Sequence, residues 1–244
     1  MKIKLHDIST KAPDGLKEND IKKNHDKLQK KLFDLNNLQF AEGKHALLII
    51  LQGLDASGKD GTVKHVFSHI NPADCIVTSF KAPTIEELKH DWMWRIYPHL
   101  PAKGILQIHN RSYYEDIIVP SIQKTVPKKI INHRMDFINA TENHLSLCGT
   151  TILKFYLHIS RDEEKKRLAK RRSDPNRHWK YDPLDKNTES HFKEYIKIYD
   201  EILNKCSDPV PWNIVPADDK WYRNYYILDT IVKTLEGFDM KYPG

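Results

Sequence analysis

Hydrophobic positions along this chain follow two spacings. Short unbroken apolar runs, such as Ala46-Leu47-Leu48-Ile49-Ile50-Leu51, have the form of strands buried on both faces. Ile21, Leu28, Leu32, Leu35 and Leu38 instead recur at helical spacing among lysines. On these signals residues 19–43 form an amphipathic helix and residues 45–52 a strand, after which Val63, Val66, Phe67 and Ile70 mark a second helix. Further strands are expected at Cys75–Phe80, Gly104–His109, Thr151–Ile159 and Trp212–Pro216. Helices are expected at 112–125 and 133–148, from Ser160 to about Arg172, up to about Asn204, and at Tyr222–Leu235. Thr84 is placed to cap a short helix holding Glu86, Glu87 and Leu88, and Ser160 with Glu163 has the form of a capping box. Strands alternating with helices predict an α/β fold with a five-stranded parallel sheet flanked by helices. Residues 1–18, polar with Pro13 and Gly15, read as an extended N-terminal arm. No repeat or low-complexity stretch interrupts the pattern, so residues 1–244 are expected to form a single domain.

The segment between the first strand and the second helix carries the chemistry. Gly53-Leu54-Asp55-Ala56-Ser57-Gly58-Lys59-Asp60-Gly61 has the Gly-x-x-x-x-Gly-Lys spacing of a phosphate-binding loop, in the strand–loop–helix context that gives the motif its meaning. Backbone N–H groups from Ala56 to Gly61 are expected to converge on phosphate, with Lys59 adding a point charge. Asp60 stands where most such loops carry Ser or Thr, and Asp55 adds a second carboxylate. Two anions beside a phosphate call for a cation, so Mg²⁺ is expected, with Mn²⁺ as a substitute, shared between carboxylate and phosphate oxygens. Asp55 can also orient or deprotonate an acceptor. Asp60 is either a ligand through water or a brace for the loop.

Composition narrows the setting. Charged residues make up 30% of the 244 and hydrophobic ones 39%, an ordinary balance for a globular protein. No apolar run approaches the ~20 residues of a membrane span, and the start, Met1-Lys2-Ile3-Lys4-Leu5, lacks the apolar core of a signal peptide. Cys75, Cys148 and Cys206 are widely spaced, which suggests neither a disulfide framework nor a zinc site. A cytoplasmic location is the expectation, with no membrane partner. The excess of 39 Lys and Arg over 33 Asp and Glu, +6, favours anionic partners but is small for a nucleic-acid binder.

In open α/β sheets ligands gather beyond the carboxyl ends of the strands. Lys81 follows the second strand, Asn110-Arg111-Ser112 the third, and a basic segment the fourth. Arg111 is positioned to fork onto phosphate oxygens. Asn110 occupies the place where many P-loop enzymes keep an acid for Mg²⁺, which throws the metal onto Asp55. Glu115 and Asp116 open the next helix and serve either its dipole or a metal and acceptor. The segment from Arg167 through Arg171, Arg172, Arg177 and Lys180, within a module of about 160–185, sits where nucleotide kinases carry a lid that supplies charge to the transferred phosphoryl group. Asp91 with His90 offers an alternative acid–base pair, whereas Trp92, Trp94 and His109, and His90 in its simpler reading, are packing or structural residues.

Taken together, the motifs resemble the type 2 polyphosphate kinase family from about Leu28 to about Leu235. They are the loop at 53–61, Phe80-Lys81-Ala82-Pro83-Thr84, and His90-Asp91-Trp92-Met93-Trp94-Arg95. Asn110-Arg111-Ser112-Tyr113-Tyr114-Glu115-Asp116, the basic lid and Pro216-Ala217-Asp218-Asp219-Lys220-Trp221-Tyr222-Arg223-Asn224 complete the series. Tyr-Glu-Asp after Asn-Arg-Ser is similar to class III members, which phosphorylate both nucleoside mono- and diphosphates. The resemblance implies a thymidylate-kinase-like P-loop fold and Mg²⁺-dependent transfer between inorganic polyphosphate and AMP or ADP, with guanine nucleotides as further acceptors. It implies catalytic roles for Asp55, Lys59, Arg111, Arg171 and Arg172. Gly53, Ala56, Ser57, Gly58, Lys59, Asp60, Gly61, Lys81, Arg177 and Lys180 would take the polyphosphate. Asn110, Arg111, Tyr114, Glu115 and Arg134 would face the nucleotide, and Asp55 with Asp116 the metal. A homo-oligomer without nucleic acid is expected. The alternatives are an ATP-dependent nucleoside or nucleotide kinase on the same fold and a P-loop protein that binds nucleic acid.

Overall fold

The computed structural model describes residues 2–175 and 190–244. Its centre is a five-stranded, wholly parallel sheet in the order β2-β3-β1-β4-β5. The strands are β1 (Ala46–Gln52), β2 (Cys75–Ser79), β3 (Leu106–Asn110), β4 (Thr150–His158) and β5 (Trp212–Pro216). β1 is buried along its whole length, which is why its sequence is an unbroken apolar run and not an alternating one. The helices are α1 (Glu18–Glu42), α2 (Lys59–Val66), α3 (Glu115–Gln123), α4 (Lys128–Leu147), α5 (Arg161–Ser173), α6 (Phe192–Lys205) and α7 (Lys220–Glu236). α1 and α2 pack on α7, while α3 packs on α4 and α6. Leu51 pairs with Asn110, and Asn110 with Ser79, so the carboxyl ends of β1, β2 and β3 finish at one level. The loop and the turn that carries Arg111 are therefore neighbours.

Several elements differ from the sequence expectation for definite reasons. α2 stops at Val66, although Phe67 and Ile70 still bury their side chains in the core. Thr84 and Glu87 do exchange the two bonds of a capping box, but only a single 3₁₀ turn follows. α3 begins at Glu115 and not at 112, because Arg111 takes a left-handed φ of 64° and Ser112–Tyr114 are spent on the turn. α4 begins at Lys128, directly after Pro127, five residues before the first apolar repeat suggested. The N-terminal arm is strapped down along its length. Leu5 is buried, the Ile3 and Leu5 amides donate to Asn204 and Asp200 of α6, and Thr10 donates to Asp218.

Pro120 lies inside α3, where it has no N–H to give to the Asp116 carbonyl one turn earlier. Arg134 of α4 fills that role, donating Nη1 to the Asp116 carbonyl at 2.7 Å while its guanidinium lies over Trp92. Helix, proline and arginine form one unit.

Candidate active site

The loop from Gly53 to Gly58 turns β1 into α2. Gly53 has φ 150°, and a Cβ there would meet the Leu157 carbonyl and Ser57 Oγ at 2.8 Å. Ala56 also takes a left-handed φ, 58°, which folds the loop back beneath the helix N-terminus. The Lys59 side chain is buried along this turn, its Nζ donating to the Gly53 and Leu54 carbonyls at 2.7 and 3.0 Å. Burial first, and the Arg111 charge second, push the ammonium down to about 8 against the pull of Asp55, Glu115 and Asp60. Ser57 Oγ and Thr62 Oγ1 are buried without a hydrogen-bond partner in the described structure.

Asp55 and Arg111 meet across the loop mouth. Arg111 Nη2 donates to Asp55 Oδ1 at 3.0 Å, and both remain partly open to solvent. Burial works against the Arg111 charge, but Glu115 and Asp55 outweigh it and hold the guanidinium above its ordinary pKa. Glu115 is held by Gln52, whose Nε2 donates to Oε1 at 3.3 Å; burial raises its pKa although Arg111 and Lys59 pull it down. Asp55, Lys59, Arg111 and Glu115 thus form one electrostatic cluster. Asn110 Nδ2 donates to Asp60 Oδ1 at 2.9 Å, so Asn110 braces the acid that replaces Ser or Thr in this loop.

Two of the residues assigned to the nucleotide from sequence are engaged by other partners. Tyr114 is fully buried, and its hydroxyl donates to Glu142 at 2.9 Å beside Lys154. The apolar sheet interior and the Glu142 carboxylate claim this ring, so it does not face a nucleotide. Arg134 is committed to the Asp116 carbonyl. Asp116 is likewise engaged elsewhere: its carboxylate pairs with Arg95 Nη2 at 2.8 Å, with Arg134, Glu87 and Glu115 among the other charges near it. The carboxylate that shares Asp55's surroundings is Glu115. Arg95 also donates to the Lys81 carbonyl at 2.9 Å, which fixes the backbone of a lysine whose side chain is exposed.

Sequence reasoning missed Arg167 as an individual residue. It lies on α5 and donates Nη1 to the Ala56 and Ser57 carbonyls, both at 3.1 Å, and its Nε pairs with Glu163 at 2.8 Å. The available signal was its place in the first basic turn after a capped helix start. Arg171 follows one turn later on the same face, with Arg172 beside it in the last turn of the helix. Arg177 and Lys180 lie outside the described residues. Ser160 Oγ accepts from the Glu163 amide at 3.2 Å, as the capping box requires.

The donor set suits a hard cation. Asp55, Asp60 and Glu115 offer only oxygen, yet no three acidic, His or Cys side chains among the described residues gather into a site by themselves. Mg²⁺ habitually takes one or two carboxylates and completes its sphere with phosphate oxygens and water, so this set fits it. Bound there, the ion would supply charge neutralisation between carboxylate and phosphate.

Known proteins of one family resemble this chain in sequence and fold. The family model described as Polyphosphate kinase 2 (PPK2) matches residues 15–243. An AMP/ADP-polyphosphate phosphotransferase of Meiothermus ruber is 41% identical over 217 residues, 88% of this chain and 81% of that protein. An ADP-polyphosphate phosphotransferase of Rhodopseudomonas palustris is 38% identical over 226 residues, 87% of this chain and 78% of the other. The crystal structure of polyphosphate kinase 2 from Arthrobacter aurescens TC1 superposes with a TM-score of 0.95 at 34% identity, covering 99% of this chain and 88% of that one. A P-loop closing on Arg111 and Asp55, in a fold shared almost end to end with such proteins, means that the chain belongs to the polyphosphate kinase 2 family.

Proposed function

We propose that this protein moves phosphoryl groups between inorganic polyphosphate and adenine nucleotides, accepting both AMP and ADP, with Mg²⁺ as the working cation. The observation that carries the reading is the Asp55–Arg111 pair across the mouth of a loop whose motif and surroundings match the family over residues 15–243. A relative named for both AMP and ADP is 41% identical, which favours polyphosphate over an ATP-dependent nucleotide kinase as the reaction type. Guanine nucleotides are a further acceptor class, since a relative named for GDP is 28% identical.

Phosphoryl transfer asks a protein mainly for positioning and charge neutralisation. Lys59 and Arg111 bind and orient phosphate oxygens. Asp55, anchored by Arg111, holds the metal and aligns the acceptor phosphate. Exposed Lys81 and the cations of α5 would add to the positive charge of Lys59 and Arg111, which suits a linear polyanion. No described helix is long and apolar enough to cross a membrane, and the three cysteines are free, both compatible with work in the cytoplasm. Phe33 and Phe40 stay exposed on α1 although the helix packs on its own α7, and they favour a homo-oligomer that light scattering would reveal.

The test is ATP formation from ADP, Mg²⁺ and polyphosphate, read with luciferase, followed by the same assay from AMP. ATP that appears only when polyphosphate is present supports the reading; none from either acceptor refutes it.

A further inference from the structure

Behind the P-loop, the Ser57 carbonyl is held by two arginines from two helices. Arg167 reaches it from α5, and Arg223 of α7 donates Nη1 to the same oxygen at 3.1 Å. Arg167 also spans to the Ala217 and Asp218 carbonyls at 2.8 Å, tying the end of β5 to the loop. Arg223 sends Nε and Nη2 to Asn224 Oδ1 at 3.2 and 2.9 Å. Its acceptors are neutral. Arg167 has Glu163, whereas no carboxylate meets Arg223 among the described residues.

That asymmetry is informative, because Arg223 is only 2% exposed. A buried cation without a counter-charge is costly, and folding normally supplies one. Burial, followed by the Arg167 charge, pushes the Arg223 guanidinium down to about 9. The loop has also been shaped around this group. A Cβ on Gly58 would lie 1.9 Å from Arg223 Nη1, so the glycine serves the arginine as much as any phosphate.

The peptide geometry connects the arginines to the ligand side. A trans peptide points its C=O and N–H in opposite directions. With the Ser57 carbonyl drawn toward Arg167 and Arg223, the Gly58 N–H is turned the other way, at the N-terminus of α2 where the loop motif receives an anion. We propose that Arg223, together with Arg167, is the positioning pair of the P-loop. The two guanidinium groups fix the Ser57–Gly58 peptide so that its N–H faces the phosphate chain, and the Arg223 charge is balanced by that chain and not by a side chain. The inference rests on the phosphate-chain reading of the loop.

Tripolyphosphate is the probe, titrated calorimetrically into the full chain and into Arg223→Gln and Arg223→Lys, with urea unfolding of each variant and the polyphosphate KM measured alongside. Gln fills the space and keeps one donor for the Ser57 carbonyl but removes the charge. It is expected to weaken tripolyphosphate binding about tenfold or more, raise the polyphosphate KM, and leave the free protein as stable as before or more so. Arg223→Lys keeps the charge and loses the fork, and it is expected to bind tighter than Arg223→Gln and weaker than the unaltered chain. Unaltered tripolyphosphate affinity in Arg223→Gln, with stability lost instead, would make Arg223 a structural brace and overturn the inference. Absence of binding by the unaltered protein would remove the phosphate-chain reading and this inference together.

Discussion

Among the described residues two lysines are buried, and they are solvated by the protein in opposite ways. Lys154, on β4, is fully enclosed and spends its three N–H donors on Glu142 at 2.6 Å, the Tyr114 hydroxyl at 3.1 Å and the Cys206 carbonyl at 2.6 Å. Tyr113 and Tyr114 donate to the same carboxylate, completing a closed network in the interior. Lys59, at the start of α2, bonds only two loop carbonyls, and its carboxylate neighbours stand around it without a direct bond. Burial depresses both ammonium groups. One cation is balanced from within and holds the fold together. The other is left able to answer an incoming anion.

Removing the closed cation should have the largest effect. Lys154→Met strands Glu142 as a buried charge, which typically costs about 3–5 kcal/mol, and urea unfolding would read the loss directly. Replacing both partners, Lys154→Met with Glu142→Leu, should recover only part of it, because no buried charge is stranded but the Tyr113 and Tyr114 hydroxyls lose their acceptor. A single variant as stable as the unaltered protein would break the contrast. Lys59→Met should do the reverse. Losing one preorganised cation from a phosphoryl-transfer site is expected to lower kcat/KM by about 10²–10³, with folding stability unchanged or raised, since a buried charge has gone. A large stability loss in this variant would place Lys59 in the same class as Lys154.

The same contrast explains what was legible in the sequence. The loop at 53–61, the five strands and the Ser160 capping box are local patterns, set by spacing within a few residues. The cluster of Asp55, Lys59 and Arg111 could be foreseen because parallel strands end together. Tyr114 could not be assigned from its position beside Glu115, since its direction is decided by Glu142, 28 residues away, and Lys154, 40 residues away. Arg223 lies 166 residues from the carbonyl it holds, and no periodicity encodes that distance. Pro120 falls within the helix expected at 112–125, and it decides the role of Arg134. Arg134→Ala should therefore cost about 1–3 kcal/mol by leaving the Asp116 carbonyl unsatisfied. Pro120→Ala in that background should return part of the loss, because an amide N–H is restored; no recovery would show that Arg134 acts by packing on Trp92 instead.

The smallest effect concerns pH and separates the open cation from everything around it. The Lys59 pKa of about 8 in the folded chain lies below the ~10.4 of an unfolded lysine. Between those values the unfolded chain binds more protons than the native one, so this group makes the free protein more stable as pH rises through the window. Anion binding must run the other way, because it needs the proton that folding is shedding. Tripolyphosphate affinity is expected to fall by roughly tenfold at most per pH unit once pH passes that value. Titration of the ligand's own end phosphates contributes equally to any variant, so the ratio of affinities between the unaltered protein and Lys59→Met isolates the lysine. That ratio should shrink steadily from pH 7 to pH 9, measured by calorimetry. A constant ratio would mean that the ammonium keeps its proton throughout. Lys59 would then be as firmly balanced as Lys154, with Asp55, Glu115 and Asp60 doing for it at longer range what Glu142 does by contact.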